Sequence, residues 1–318
     1  MPRALITGIS GQDGGYLADH LLSRGMAVHG LAREEDGHVG GLDPDAPGLT
    51  LHRGDLTELP ALANLIADVE PDQVYNLAGI SSVAQSWADP VVNGMVNGLA
   101  VAGLIQTVWQ VAQDTGRPIR FIQASSAEIF GAPEISPQNE ATAIAPVSPY
   151  GAAKAYAHHL VSVYRGRGLH ASSVILYNHE SPRRPETFVT RKITAGAARI
   201  ARGEADELVL GNLDAVRDWG WAPDYMAAMA LAAEASEPAD YVIATGEGHT
   251  VRDFVAAAFD AAGIGDWQRF VRSDAQFFRP VEGIALVGDP TRARERLDWR
   301  PTVAFEEIVA RMVAVDLR

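Results

Sequence analysis

Tyr150-Gly151-Ala152-Ala153-Lys154 sets a phenol and an ammonium four residues apart at the start of a helical segment, so both side chains share one helix face. A phenol titrates at roughly 10, too high for a base at neutral pH. A nearby ammonium stabilises the phenolate and lowers that value, which would let the tyrosine accept a proton from an alcohol. The chain holds only two lysines, Lys154 and Lys192, against 24 arginines, and one of the two stands in this motif. Upstream, a strand ends Ala124-Ser125-Ser126-Ala127-Glu128. The Ser126 hydroxyl can hydrogen-bond a substrate oxygen beside Tyr150, and the Glu128 carboxylate can take a proton from carbon. The same two residues could instead cap the turn that follows.

A second constellation lies at the N-terminus. Thr7-Gly8-Ile9-Ser10-Gly11-Gln12-Asp13-Gly14 follows an apolar run and precedes a helical pattern. Glycines at 8, 11 and 14 suit a tight turn that brings backbone against a pyrophosphate, with helix N-terminal amides facing its charge. At the end of the next strand, Arg33 favours the 2′-phosphate of NADP over the ribose hydroxyls of NAD, although Glu34 and Glu35 follow and would repel that phosphate. Gly54-Asp55-Leu56 lies where an adenine-contacting aspartate would stand.

Positioning these groups requires a sheet. Residues 4–7, 28–31, 49–52, 74–77 and 120–124 read as buried strands, alternating with helical patterns that include 59–69 and 91–113. Residues 172–176 and 241–244 supply two more strands. This alternation predicts an α/β fold, a doubly wound parallel Rossmann sheet with a smaller C-terminal α/β substrate lobe. The expected division is 1–177 plus 238–250 for the cofactor domain and 178–237 plus 251–318 for the substrate domain.

The 318 residues are 47% hydrophobic, enough for a sizeable core. Cysteine is absent, which removes disulfides and thiolate chemistry and fits a reducing cytoplasm. With 40 acidic and 26 basic residues the net charge is −14, a poor match for nucleic acid or an anionic membrane. No apolar stretch is expected to approach the roughly 18 residues of a membrane span, and the N-terminal apolar run is too short for a signal peptide. A soluble, cytoplasmic protein is expected. His158-His159 has no metal-ligand spacing and reads as helix surface; no metal is expected.

The segments from Gly8 to Tyr16, Tyr75-Asn76-Leu77-Ala78, the Ser126/Glu128/Tyr150/Lys154 set and Asn178-His179-Glu180-Ser181-Pro182-Arg183-Arg184 together resemble GDP-mannose 4,6-dehydratases, extended short-chain dehydrogenase/reductases. The resemblance continues through the stretch from Glu186 to Ile193, Arg217-Asp218-Trp219-Gly220 and Phe278-Arg279-Pro280, and so covers essentially the whole chain. It implies NADP as cofactor and GDP-mannose as substrate, dehydrated by internal hydride transfer from C4 to C6. A dehydratase, epimerase or reductase acting on a different nucleotide sugar is the alternative. The implied catalytic set is Ser126, Glu128, Tyr150 and Lys154. Cofactor contacts fall on Gly8, Ile9, Gly11, Gln12, Asp13, Gly14, Arg33, Asp55, Leu56, Leu77, Ala78, Ser81, His179 and Arg184, with Tyr150 and Lys154. Substrate contacts fall on Asn178, Lys192, Arg217, Arg279 and Glu282, with Ser126 and Glu128. The resemblance also implies a helix-bundle homodimer, with a homotetramer as the larger alternative. Departures from the family pattern are Ala127 for serine, Glu34 for a basic residue, Ile80 and Ser82 for glutamine and histidine, and Val92 for tyrosine.

Overall fold

The computed structural model describes residues 1–33, 41–277 and 285–318. Seven strands build the central sheet: β1 (Arg3–Thr7), β2 (Ala27–Ala32), β3 (Leu49–Arg53), β4 (Gln73–Asn76), β5 (Arg120–Ser126), β6 (His170–Leu176) and, later in the chain, β11 (Asp240–Ile243). Their order is β11-β6-β5-β4-β1-β2-β3, and every pairing is parallel. A parallel sheet is covered on both faces, so its central strands are apolar on both. Ala4, Leu5 and Ile6 of β1 are accordingly fully buried. The seven strand positions expected from the sequence all hold, with ends displaced by a few residues.

The connecting helices divide between the two faces. Helix α1 (Gln12–Ser23) packs with α8 (Ala222–Glu234) in one core, which also takes in α10 (Thr291–Leu297). On the other face lie α2 (Leu59–Val69), α5 (Ala100–Thr115) and Val161 of α6 (Pro149–Arg165). Between them run α3 (Val83–Ala88) and α4 (Pro90–Gly94). Helix α4 continues through a π-helical turn at Met95–Leu99 directly into α5. The resulting helix, Pro90–Thr115, spans 26 residues and is long and apolar enough to cross a membrane by length and composition. This corrects the expectation that no stretch approaches that length. Here 44% of its most apolar window is buried inside the fold, against α2 and α6.

The second lobe has its own core. Helices α7 (Val189–Ala201), α9 (Val251–Ala261) and α11 (Phe305–Asp316) pack together, with Trp219 stacked on Phe305 and edge-on to Phe254. Short strands edge this lobe: β7 (Asn178–Glu180) pairs β10 (Trp219–Trp221), β8 (Leu208–Leu210) pairs β13 (Val271–Ser273), and β9 (Val216–Arg217) pairs β12 (His249–Thr250). Although α8 and α10 fall in the chain segments assigned to the substrate lobe, their apolar faces join the core of the sheet. The carboxyl ends of β1, β2, β4, β5 and β6 open onto the cleft between the two cores, where doubly wound sheets bind ligands.

Candidate active site

A cavity of about 1030 Å³ fills this cleft. The glycine loop forms one end of it. Gly8 has φ of +73°, and a Cβ there would lie 2.7 Å from the Ala78 Cα. A Cβ on Gly14 would lie 2.3 Å from the Gly8 carbonyl oxygen. Only glycine fits at either place. Gly11, the N-cap of α1, offers no side-chain cap, so the first-turn amides are left to face the cavity. Such a cradle fits a dinucleotide pyrophosphate. Beneath it runs a buried polar chain across three strands: the Thr7 hydroxyl donates to Asn76 Oδ1 (2.6 Å) and Asn76 Nδ2 to Gln123 Oε1 (2.8 Å).

Asp13 and His179 close the same end. Burial alone would raise the Asp13 carboxyl, yet the His179 charge and hydrogen bond, with Gln12 and Arg184, bring it down to about 2. Burial works against a charged His179 too, but Asp13 at 3.0 Å raises it above its ordinary value. The other ring nitrogen, Nδ1, donates to the Tyr177 carbonyl (2.7 Å), and the ring stacks on Tyr225. Gln12 ties the loop to the second lobe: its Nε2 donates to the His179 carbonyl, and its Oε1 accepts from Ser181 (2.7 Å).

The chemical end is built where β5 meets α6. Ser126 is the last residue of β5, and a single 3-10 turn, Ala127–Ile129, presents Glu128 to the cavity. The Ser126 hydroxyl also accepts from the Glu128 backbone N–H (3.3 Å), so the capping role and the site role coexist. Ser148 caps α6 by accepting from Gly151 N–H (3.0 Å), which sets Tyr150 in the first turn and Lys154 one turn on. The Ser126 hydroxyl favours the Tyr150 phenolate. Burial pushes its phenol up to about 12, with the Glu128 charge adding to the rise. This departs from the expected lowering by Lys154. The Lys154 amine stands 5.8 Å from the Tyr150 ring centroid and donates to the Ala124 carbonyl (3.0 Å), while its own burial takes it down to about 8.

Of the other expected cofactor contacts, Gly11, Arg33, Asp55, Leu56, Leu77, Ala78, Ser81 and Arg184 line the cavity. Ile9 does not: it is fully buried and its side chain packs where a Gly30 Cβ would be. Among substrate candidates, Asn178 and Lys192 line the cavity, Lys192 donating to the Val209 carbonyl (2.7 Å). Arg217 is buried outside the lining and donates to the Val216 carbonyl; its backbone bridges Leu286, which does line it. Arg279, Glu282 and Glu34 lie outside the described residues. At the departures, Ala127 is buried, Ser82 caps α3 by accepting from Gln85 N–H, and Ile80 and Val92 line the cavity.

Two contributors were not found from sequence. Asn97, inside the π turn, holds both the N–H (3.1 Å) and carbonyl (2.9 Å) of Ile80 at the cavity wall. Its only signal in the sequence was an amide within an apolar helical segment. His158, expected on the helix surface, is buried and lies 3.2 Å from the Ser125 hydroxyl, because α6 turns the 150/154/158 face toward β5; His159 is exposed. Among the described residues no cluster of three or more His, Cys, Asp or Glu could hold a metal.

A profile of the family described as GDP-mannose 4,6 dehydratase matches residues 5–312. The chain belongs to the GDP-mannose 4,6-dehydratase family. Its similarity to family members runs end to end: 44% identity to GDP-mannose 4,6 dehydratase 2 of Arabidopsis thaliana, covering 99% of this chain and 86% of that protein. The human GDP-mannose 4,6 dehydratase is 41% identical over 99% of this chain and 91% of its own length. Among solved structures, a UDP-glucose 4-epimerase of Thermus thermophilus in complex with NAD superposes with a TM-score of 0.85 at 28% identity, covering 99% and 98% of the two chains. The dTDP-glucose 4,6-dehydratase of Bacillus anthracis shares the fold, with a TM-score of 0.83 at 18% identity over 99% and 96% of the chains. This chain and those neighbours thus share one architecture.

Proposed function

We propose that this chain is a hydro-lyase that converts GDP-D-mannose to GDP-4-keto-6-deoxy-D-mannose, with NADP as its resident cofactor. The observation that carries this is Glu128, a carboxylate set in the same cavity wall as Ser126, Tyr150 and Lys154. The relatives at 41–44% identity bear the dehydratase name, whereas a dehydratase, epimerase or reductase for a different nucleotide sugar is not favoured.

A bound nicotinamide would supply the reversible hydride acceptor, held by the glycine loop, Asp13, His179 and Lys154. Ser126 and Tyr150 grip the C4 oxygen, and Tyr150 takes the C4 hydroxyl proton as C4 is oxidised. At rest the buried phenol is protonated, so it first passes its proton to solvent, and Ser126 and the Arg184 charge are the groups that favour the transient phenolate. The new C4 ketone acidifies the C5 hydrogen, which Glu128 removes as water departs from C6. Ala127 has no proton to give, which leaves the departing hydroxyl to Glu128 or a water. Tyr150 then holds the C4 ketone while C6 is reduced and a proton returns to C5 from Glu128 or a water. Lys192 and Asn178, which line the same cavity, suit the diphosphate.

Two further elements belong to this reading. The apolar face of Val91, Met95 and Leu99 with Tyr156 and Val163 of α6 is exposed, 62% for Leu99, and suits a second copy of the chain in a helix-bundle dimer. The cysteine-free composition suits a cytoplasmic site. The deciding experiment incubates the protein with GDP-mannose and catalytic NADP+ and weighs the nucleotide sugar. Loss of one water without net NADPH supports a dehydratase; unchanged mass with bound cofactor contradicts it.

A further inference from the structure

We infer that His158 is a positioning residue for this site: through the Ser125 hydroxyl it holds the end of β5 that presents Ser126 to Tyr150. The inference rests on the catalytic reading above and deepens it. The end of β5 lacks a strand on one side. Gln123 is the last of its residues paired with β4, whereas its pairing with β6 continues through Ser126. Residues 124–126 therefore overhang β4 toward the cavity, which all three line. Helix α6 supplies the missing hold from a single face, on which Tyr150, Lys154 and His158 follow at successive turns. The Ser126 hydroxyl favours the Tyr150 phenolate, and the Lys154 amine donates to the Ala124 carbonyl at 3.0 Å. His158 takes the residue between them, with its Nδ1 3.2 Å from the Ser125 hydroxyl.

The ring is oriented from its other edge. His158 is buried, and its Nε2 faces Asp240 Oδ2 at 3.8 Å, at the start of β11. Arg165 donates to the second oxygen of that carboxylate and holds it in place. A carboxylate opposite Nε2 favours the proton there, so Nδ1 is the acceptor and the Ser125 hydroxyl donates to it. Burial outweighs the Asp240 charge and, with His159 and Arg165, holds the imidazole below its ordinary value, which keeps that acceptor unprotonated at neutral pH. An apolar ring of similar size would fill the same space without the cost of burying two polar nitrogens. It would also leave the Ser125 hydroxyl without its partner and the overhang tethered only at Ala124.

The test measures kcat and KM for GDP-mannose dehydration, the Kd of NADP+ and the Tm. It compares the wild-type chain with His158→Phe, His158→Asn, Ser125→Ala and the His158→Phe/Ser125→Ala double variant. A reacting group misplaced by about 1 Å costs about 100-fold, so kcat should fall about 10- to 100-fold in His158→Phe while KM and Kd stay within about threefold. Asparagine offers an acceptor close to where Nδ1 stood, so His158→Asn should recover part of the lost kcat. Ser125→Ala should lose about as much as His158→Phe, and the double variant no more than either, because both cut one contact. Ser125→Ala, which removes only an oxygen, decides the matter where His158→Phe does not fold. A kcat within about twofold of wild type in either folded single variant, or losses that multiply in the double variant, would overturn the inference. If the wild-type chain leaves GDP-mannose unchanged, the functional reading fails by itself, and crystal structures of the same variants decide the role of His158. Ser126 displaced in His158→Phe and restored in His158→Asn supports it; Ser126 unmoved in both overturns it.

Discussion

At Glu128 the account makes its sharpest demand. Glu128→Gln keeps size and hydrogen bonding but cannot accept a proton from C5, so turnover should drop by about 100- to 10,000-fold, the usual worth of a positioned base. Kd values for NADP+ and GDP-mannose should stay within a few-fold, measured by titration. Lys154 makes a second demand, on stability. Its buried amine is held near 8 against an ordinary 10.5. The unfolded chain therefore binds this proton more tightly between those values, and stability should rise with pH from about 8 to 10.5. Lys154→Met removes the cost of burying a charge, so at pH 7 its Tm should exceed the wild-type value while turnover is lost, and the Tm gap should shrink by pH 10. Equal Tm differences at both pH values would deny that Lys154 is strained. Tyr150 and Lys154 were legible from residue type and spacing, because a helix fixes i and i+4 on one face, whereas Ser126 and Glu128 read as well as turn caps and entered only with the family resemblance. What spacing could not show is burial. It turns the expected lowering of Tyr150 into a rise, and it draws His158 off the helix surface toward Ser125.

At the scale of elements, the glycine loop and α1 behave as one rigid cradle. Gly14→Ala would drive a methyl to within 2.3 Å of the Gly8 carbonyl, so either the loop shifts or α1 does. The expected result is a fall in NADP+ affinity of more than about tenfold and a loss of about 1–3 kcal/mol in stability, read by titration and denaturant melts. The Asp13–His179 pair joins this loop to β7. Since His179 is raised, its share of stability is present below its ordinary value and is lost as pH rises through the higher folded value; Asp13 loses its share only as pH falls through about 2. His179→Gln should thus flatten the decline in stability as pH rises above the ordinary histidine value. Strand positions were readable as apolar runs, since both faces of a parallel sheet are covered. The π turn at Met95–Leu99 was not, because its residues carry an unbroken helical pattern. Only the way Asn97 holds Ile80 shows why the irregular turn stands beside the cavity.

Among the described residues, two cores meet around a cleft and an apolar helix face is left uncovered. Composition reported a helix of membrane-crossing length only once the π turn joined α4 to α5, and the partial burial of that helix explains its apolar character. A dimer through Val91, Met95, Leu99 and Val163 predicts that Leu99→Glu yields monomers by light scattering, with the melting transition lowered by loss of the partner. A monomeric wild-type chain would contradict it. The lobe assignments of α8 and α10 were illegible in sequence because apolar spacing tells which face is buried but not against what. Function at this scale rests on one claim, that oxidation at C4 and reduction at C6 occur in a single substrate without release. The most direct test uses GDP-mannose carrying deuterium at C4, with NADP+ present at far below substrate concentration. The account predicts a 4-keto-6-deoxy product with the deuterium at C6. Deuterium washed into the free cofactor pool, or retained at C4, would contradict it.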